Sequence, residues 1–177
     1  MAAMQLCLFA STPDMAELSF VVKVLMGTAE ELTRRAVAWG YDGIEFMPDP
    51  ERVPDPVTFE TALKAAGAVM PVVNTGRVFA QGLSLLHGDP NIRQRSTAGF
   101  KRILDFAGYF RARVGLGAAR GRGIPGASRE ELEQRAEDVF RELAEHAERV
   151  QTVIMLEPAD PGVTSYINTM DEAMAWV

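Results

Sequence analysis

The chain has 177 residues, enough for a sizeable core, and we expect residues 1–177 to form one domain. Its net charge of −6 argues against a nucleic-acid-binding surface, which needs a basic face. The apolar run at residues 4–10 is too short for a signal peptide or a membrane span, and a single cysteine excludes an internal disulfide. With 47% hydrophobic residues, the composition is that of an ordinary soluble protein. We therefore expect a cytoplasmic protein with no nucleic-acid or membrane partner.

Strand and helix patterns alternate along the chain. Short apolar runs that end at turn residues predict strands at residues 4–10, 44–47, 69–75, 113–117 and 150–157. Another apolar run, at residues 18–26, is either an extended excursion or a hairpin arm. This alternation is typical of an α/β protein.

Helices between these strands are predicted from their start signals. Three segments have the spacing of a capping box, beginning at Thr28, Ser128 and Thr169. Two more begin with an aspartate followed by a proline in the first turn, at Asp55 and Asp89. In the first helix we expect Leu32, Ala36 and Trp39 to face the core.

The β-α unit recurs about five times, which requires a parallel sheet with right-handed crossovers. Two architectures fit this pattern: a (β/α)8 TIM barrel, which needs about 250 residues, and a five-stranded doubly wound sheet. Length alone favours the doubly wound sheet. The end of the sequence inside a capped helix favours a barrel of which this chain supplies about the first five βα units.

The acid that ends the last predicted strand is the first candidate for a functional residue. Glu157 follows a buried apolar run and precedes Pro158, which stops the strand. A charge at the end of a buried strand is costly unless a partner or a metal uses it. The alternative is that Glu157 lies at a solvated strand end.

Polar side chains follow the other predicted strands as well. Glu45, Asn74 and Arg120 come at or just after successive strands, where both architectures place their functional site. Such a rim suits a small hydroxylated or anionic substrate, held with or without a divalent metal. Alternatively, Glu45 caps a helix or pairs with an arginine, and Arg77, Arg120 and Arg122 are solvated loop charges.

Other familiar sites are excluded by the residues present. Two histidines, His87 and His146, cannot build a multi-histidine zinc cluster, and we expect a capping or exposed position for the first and a surface position for the second. The glycines at Gly115 and Gly117 lack the third glycine of a dinucleotide fingerprint, because Arg120 occupies that position. Cys7 is expected to be a small core residue.

Four short motifs, taken in order, resemble the xylose isomerase-like TIM-barrel superfamily, which holds sugar phosphate isomerases and epimerases as well as endonuclease IV. They are WGYDGIE at 39–45, RG at 120–121, LEP at 156–158 and INTMDEA at 167–173. The resemblance implies a (β/α)8 barrel. It also implies that Glu157 is a ligand of a divalent ion (Mn, Mg, Co or Zn) and takes part in proton transfer. We expect substrate contacts from Glu45, Asn74 and Arg120.

The function implied by the resemblance is metal-dependent isomerisation or epimerisation of a small sugar, sugar phosphate or hydroxy-keto acid through an enediolate. Two alternatives are a sugar-derivative dehydratase using the same site and a non-catalytic ligand-binding α/β domain. After Pro158 the chain continues with ADPGV at 159–163, whereas similar ketose epimerases continue with asparagine, arginine and an acid.

The resemblance implies further metal ligands on strands six to eight, which residues 1–177 do not reach. We therefore expect residues 1–177 alone to be inactive. An incomplete barrel would expose unpaired strand edges unless it assembled with another copy, so we expect these residues to belong to a longer protein, with a homo-oligomer as the alternative.

Overall fold

The computed structural model describes residues 4–17, 25–121 and 127–177. Within these ranges, six strands form one sheet: β1 (Cys7–Ser11), β2 (Leu25–Met26), β3 (Gly43–Met47), β4 (Val69–Val73), β5 (Arg113–Leu116) and β6 (Ile154–Leu156). The helices are α1 (Ala29–Ala38), α2 (Pro56–Ala66), α3 (Gly76–Ala80), α4 (Pro90–Phe110), α5 (Arg129–Arg149) and α6 (Met170–Met174). Two 3-10 turns follow β1 and β5, at Pro13–Glu17 and Ala118–Arg120.

The order of the longer strands favours one of the two predicted architectures. The sheet runs β2-β1-β3-β4-β5-β6, and every neighbouring pair is parallel. The two-residue β2 lies on the outer side of β1, so the full order 2-1-3 by itself also matches one doubly wound arrangement. Without β2, the strands β1, β3, β4, β5 and β6 lie side by side in chain order, as in a barrel. None of the helices in the described ranges combines the length and the apolar character needed to cross a lipid bilayer.

The two faces of the sheet differ in burial. On one face, Ala10, Phe46, Val73 and Val114 are completely buried against the helices. Three aromatic rings continue this core, at Phe46, Phe59 and Phe106, with centroids 4.4–5.7 Å apart. The other face, which we call the open face, carries half-buried residues at Phe9, Glu45, Val72, Gly115 and Met155.

A close approach between β3 and β4 sets the register of their carboxyl ends. Gly43 pairs with Val69, but Glu45 pairs with Val72, so β4 carries one extra residue. A Cβ at Gly43 would lie 1.8 Å from the carbonyl oxygen of Val69, so only glycine fits there. The shift places Asn74, just after β4, beside Glu45.

The predicted helix starts are confirmed. Capping boxes form at Thr28, Ser128 and Thr169, and aspartate caps form at Asp55 and Asp89. Gly67 ends α2 in the left-handed conformation, with φ of 64°. These signals were readable because each depends on hydrogen bonds within one helical turn.

Three predicted details were wrong. The strand predicted at residues 150–157 is limited to β6, because α5 continues to Arg149 and Val150 is its C-cap. Trp39 does not face the core; it is 56% exposed, and the guanidinium of Arg35 lies over its ring. Cys7 is only half-buried, and this burial, with the charges of Asp42 and Glu45, raises the pKa of its thiol.

Only the end of the second apolar run lies within the described residues. Residues 18–24 are outside them, while Leu25 and Met26 pair with Ala10 and Ser11 of β1. This pairing is parallel, which excludes a hairpin arm for these two residues.

Candidate active site

A cavity of about 390 Å³ lies at the carboxyl ends of β4, β5 and β6. Its walls include Phe9, Asn74, Thr75, Gly117, Glu157 and Asp160. A larger groove of about 680 Å³ runs between α5 and α6, away from the strand ends. We place the candidate site in the strand-end cavity, because barrel folds carry their functional groups there.

Glu157 presents its carboxylate to this cavity. The strand pairing holds its backbone, since the N–H of Glu157 donates to the carbonyl of Leu116 at 3.2 Å. The side chain is exposed and packs over Gly117, where a Cβ would lie 2.7 Å from Oε2. Its carboxylate accepts no hydrogen bond from the described residues, so both oxygens are available to a ligand.

Glu45 and Asn74 meet, but Glu45 lies in the middle of β3 and not, as the sequence suggested, at its carboxyl end. The Asn74 amide donates to Glu45 Oε1 at 2.8 Å, and its own Oδ1 accepts the N–H of Gly76 at 2.8 Å. Asn74 lines the cavity, and Glu45 lies behind it. The two bonds fix the orientation of the Asn74 side chain.

Arg120 corrects the expectation of a substrate contact. It is completely buried, and its guanidinium donates to the backbone carbonyls of Leu116, Tyr166 and Ile167 at 2.5–3.0 Å. Burial lowers the pKa of Arg120 to about 10, against the opposing effect of Glu157, so the group stays protonated at neutral pH. Arg120 therefore ties the segment after β6 to the end of β5 and does not face the cavity.

The side chain of Arg77 is also buried, and it bonds to other residues of the protein. It is 1% exposed, donates to Thr12 at 2.8 Å, and forms ion pairs with Asp14 and Asp49 at 2.8 Å. The hydrogen bonds from Arg77 lower the pKa of Asp14 to about 2. This buried cluster joins the turn after β1 to the segment after β3. Arg122, the third arginine named from the sequence, lies outside the described residues.

One of the two histidines takes its predicted position, and the other does not. His87 Nδ1 accepts the N–H of Asp89 at 3.0 Å, which is the predicted capping role. His146 pairs with Asp105 at 2.7 Å, but its side chain is only 16% exposed, less than expected for a surface residue.

Three residues of the site were not identified as site residues from the sequence. Thr75 donates to the carbonyl of Gly115 at 2.6 Å and so joins the ends of β4 and β5. Asp160 forms a turn in which its Oδ1 accepts the N–H of Gly162 at 2.7 Å. Gly117 was considered only as a nucleotide-binding glycine. The Asp-Pro-Gly sequence was a readable turn signal, whereas the role of Gly117 depends on its contact with another strand.

The residues present do not complete a metal centre. No group of three or more acidic, histidine or cysteine side chains within the described ranges could hold a metal ion. Hard divalent ions take about six ligands, mostly oxygens. Glu157 is placed to provide one of them, and Asp160 lines the same cavity.

Strand order and site together define the class: a protein of the (β/α)8-barrel type whose candidate site lies at the carboxyl ends of its strands. The family model described as "Xylose isomerase-like TIM barrel" matches residues 33–177. The chain belongs to this family, which confirms the resemblance carried by the four motifs. A comparison with curated proteins finds no match.

Solved structures of sugar epimerases share the fold. The 3-keto-D-glucoside 4-epimerase of E. coli, in its apo form, is 17% identical with a TM-score of 0.70, covering 96% of this chain and 63% of that one. A D-allulose 3-epimerase from Methylomonas sp. in complex with D-allulose is 18% identical with a TM-score of 0.65, covering 99% and 59%.

A xylose isomerase-like TIM barrel protein from Mycobacterium smegmatis, in complex with magnesium, is 19% identical with a TM-score of 0.61 and covers 96% and 60%. The chain thus spans 59–63% of the length of these three proteins. At these identities the likeness shows the fold.

Proposed function

We propose that the protein is a sugar isomerase or epimerase that moves a proton between neighbouring carbons of a small carbohydrate through an enediolate. The observation that carries this proposal is the carboxylate of Glu157, which is exposed in the strand-end cavity and accepts no hydrogen bond from the described residues. A carboxylate in that position is available to take a proton from the carbon beside a carbonyl. The sugar epimerases among the structural relatives support the substrate class.

Asn74 is the proposed substrate contact beside Glu157. One hydrogen of its amide is directed to Glu45, and the other remains for a substrate oxygen. Glu45 then acts by orienting Asn74. This assigns Glu45 a positioning role in place of the direct contact that the sequence suggested.

A divalent ion (Mn, Mg, Co or Zn) would polarise the substrate carbonyl and its neighbouring hydroxyl. The magnesium in the M. smegmatis relative supports this part of the proposal. Glu157 would be one ligand of such an ion. Because the described residues do not complete its coordination, we assign no step of the reaction to it.

The test follows solvent deuterium into the sugar. The natural polypeptide at its full length is incubated in D2O with a free ketohexose and Mn²⁺, and NMR detects deuterium at the carbon beside the carbonyl. We expect exchange in the natural protein and a loss of about 10²–10⁴-fold in Glu157→Gln, the usual contribution of a general base.

Glu148→Gln is the matched control. Glu148 is exposed near the carboxyl end of α5, which leads to the amino end of β6 and so lies opposite the cavity. Undiminished exchange in Glu157→Gln would overturn the role of Glu157. Binding of the ketose with no exchange in the natural protein would favour a ligand-binding domain, and a product lighter by one water would favour a dehydratase.

A further inference from the structure

We infer that Thr75 is a positioning residue of the candidate active site. Its hydroxyl holds the ends of β4 and β5 together and so sets the distance between Asn74 and Glu157. The inference rests on the proposed function, in which Asn74 contacts the substrate and Glu157 transfers the proton. Thr75 is only 2% exposed, and its hydroxyl donates to the carbonyl oxygen of Gly115 at 2.6 Å. It therefore acts through its neighbours and does not itself exchange protons with the substrate.

The hydroxyl of Thr75 departs from the usual role of a threonine at its position. Thr75 is the N-cap of α3, and an N-cap threonine ordinarily accepts the N–H of a residue two or three positions later. The caps at Thr28, Ser128 and Thr169 follow that rule. Thr75 accepts no such bond from α3, all of which the structure describes, and it donates across the sheet to Gly115 instead. The hydroxyl thus serves the contact between strands and not the start of its own helix.

This bond lies where the backbone pairing of the two strands stops. The pairing between β4 and β5 ends with Val73 and Val114. The next N–H, that of Asn74, points to the other side and donates to the carbonyl of Phe46 in β3 at 2.8 Å. The Thr75 hydroxyl extends the contact with β5 beyond the end of the ladder. A strand end is held by fewer bonds than a strand interior, so this bond has a large effect on the gap between the two ends.

The two groups of the proposed site lie on opposite sides of this gap. Asn74 precedes Thr75 in the chain and is itself held in one orientation by two hydrogen bonds. Gly115 comes two residues before Gly117, over which the carboxylate of Glu157 packs. All five residues line the strand-end cavity. The bond between Thr75 and Gly115 therefore sets the width that a substrate must span to meet Asn74 and Glu157 together.

Loss of this hydroxyl should affect the reaction more than the fold. Without its donor, the partly buried carbonyl of Gly115 must bond to water, which widens the gap between the strand ends. A catalytic group must lie about 3–3.5 Å from the atom it reacts with, and a displacement of about 1 Å can reduce the rate by about 10²-fold. The interior of the sheet keeps its packing, because Val73 and Val114 are completely buried in the core.

The experiment removes the hydroxyl while keeping the shape of the side chain. Thr75→Val loses the donor, and Thr75→Ser keeps it. Deuterium exchange is measured on the natural polypeptide at its full length, with a free ketohexose and Mn²⁺ in D2O. We expect kcat/KM to fall by about 10–10²-fold in Thr75→Val and by less than about threefold in Thr75→Ser.

Thr33→Val is the matched control. Thr33 is 1% exposed, and its hydroxyl donates to the carbonyl of Ala62 on α2 at 3.3 Å. It lines a groove between α1 and α2 that shares no residue with the strand-end cavity. Both valine substitutions remove a buried hydroxyl, so both should lower the free energy of unfolding in urea, whereas kcat/KM should fall in Thr75→Val alone.

The other outcomes separate this inference from the proposed function. Natural kcat/KM in Thr75→Val, or an equal loss in Thr75→Ser, would overturn the inference and leave the proposed function standing. An equal loss in Thr33→Val would overturn it as well, because the effect would then be one of stability. If Thr75→Val does not fold, Thr75→Cys, whose thiol is a weaker donor, takes its place, and natural kcat/KM in that variant would count against the inference. Absence of exchange in the natural protein would overturn the proposed function and the inference together.

Discussion

The carboxylate of Glu157 lies so close to Gly117 that a Cβ at residue 117 would stand 2.7 Å from Glu157 Oε2. Real Cβ atoms do not approach an oxygen so closely, so any other residue at 117 must displace Glu157. Gly115, two residues earlier in β5, has no atom within 4 Å of the corresponding Cβ position, but it lines the same cavity. Gly117 is therefore the position at which the placement of Glu157 can be tested.

Gly117→Ala should reduce sugar turnover by about 10²-fold, because a displacement of about 1 Å in a reacting group has effects of that size. The measurement is kcat/KM for deuterium exchange, with far-UV circular dichroism to check the fold. Glu148→Gln, on the opposite side from the cavity, is the control and should retain its turnover. Natural turnover in Gly117→Ala would show that the position of Glu157 is unimportant.

Arg120→Lys should destabilise the protein by about 3 kcal/mol, because one ammonium group cannot satisfy carbonyls of Leu116, Tyr166 and Ile167 that a guanidinium fork reaches. The free energy of unfolding is measured by urea denaturation. Arg141→Lys, which alters an ion pair with a 64% exposed arginine, should change it by less than about 0.5 kcal/mol. If Arg120→Lys kept the stability of the natural protein but raised its KM, the result would support the substrate contact predicted from the sequence.

Arg77→Met should cost about 3–5 kcal/mol of unfolding free energy, since it leaves the buried Asp49 carboxylate without its cation. The same urea experiment measures this change. Arg95→Met removes an arginine that is 63% exposed in its ion pair with Glu51, and should cost at most about 1 kcal/mol. Equal effects of the two substitutions would contradict a structural role for the buried cluster.

The stability contributed by Asp14 should depend on acid pH. Its pKa falls from 3.8 to about 2 in the folded protein, chiefly through the hydrogen bonds from Arg77. A lowered carboxyl pKa stabilises the fold above the unfolded value, and this contribution disappears as the pH falls through the folded value. Urea denaturation of the natural protein and Asp14→Asn should therefore give free energies that differ at pH 6 and converge between about pH 4 and pH 2. A difference independent of pH would contradict this linkage.

Most of the helix starts could be predicted from the sequence alone. The cap residues Thr28 and Ser128 bond backbone groups three residues away, so spacing is sufficient to identify them. Trp39 shows a limit of the periodicity argument. An apolar residue at the spacing of a buried helix face can still lie beyond the part of the helix that packs against the core. The predicted start of the last strand is wrong because the apolar run at 150–156 begins with Val150, which caps α5, four residues before β6 starts at Ile154.

The sequence by itself determined the alternating parallel architecture, and with it the positions of Asn74 and Glu157 at one edge of the sheet. Parallel strands joined by helices bring all their carboxyl ends to that edge, whatever the details of packing. Only the tertiary structure decided what the polar residues do there. Arg77 and Arg120 bond to groups as many as 65 and 47 residues away, and Gly117 matters only through Glu157, just after the neighbouring strand. Such partners depend on burial and on the register between strands, which no local spacing encodes.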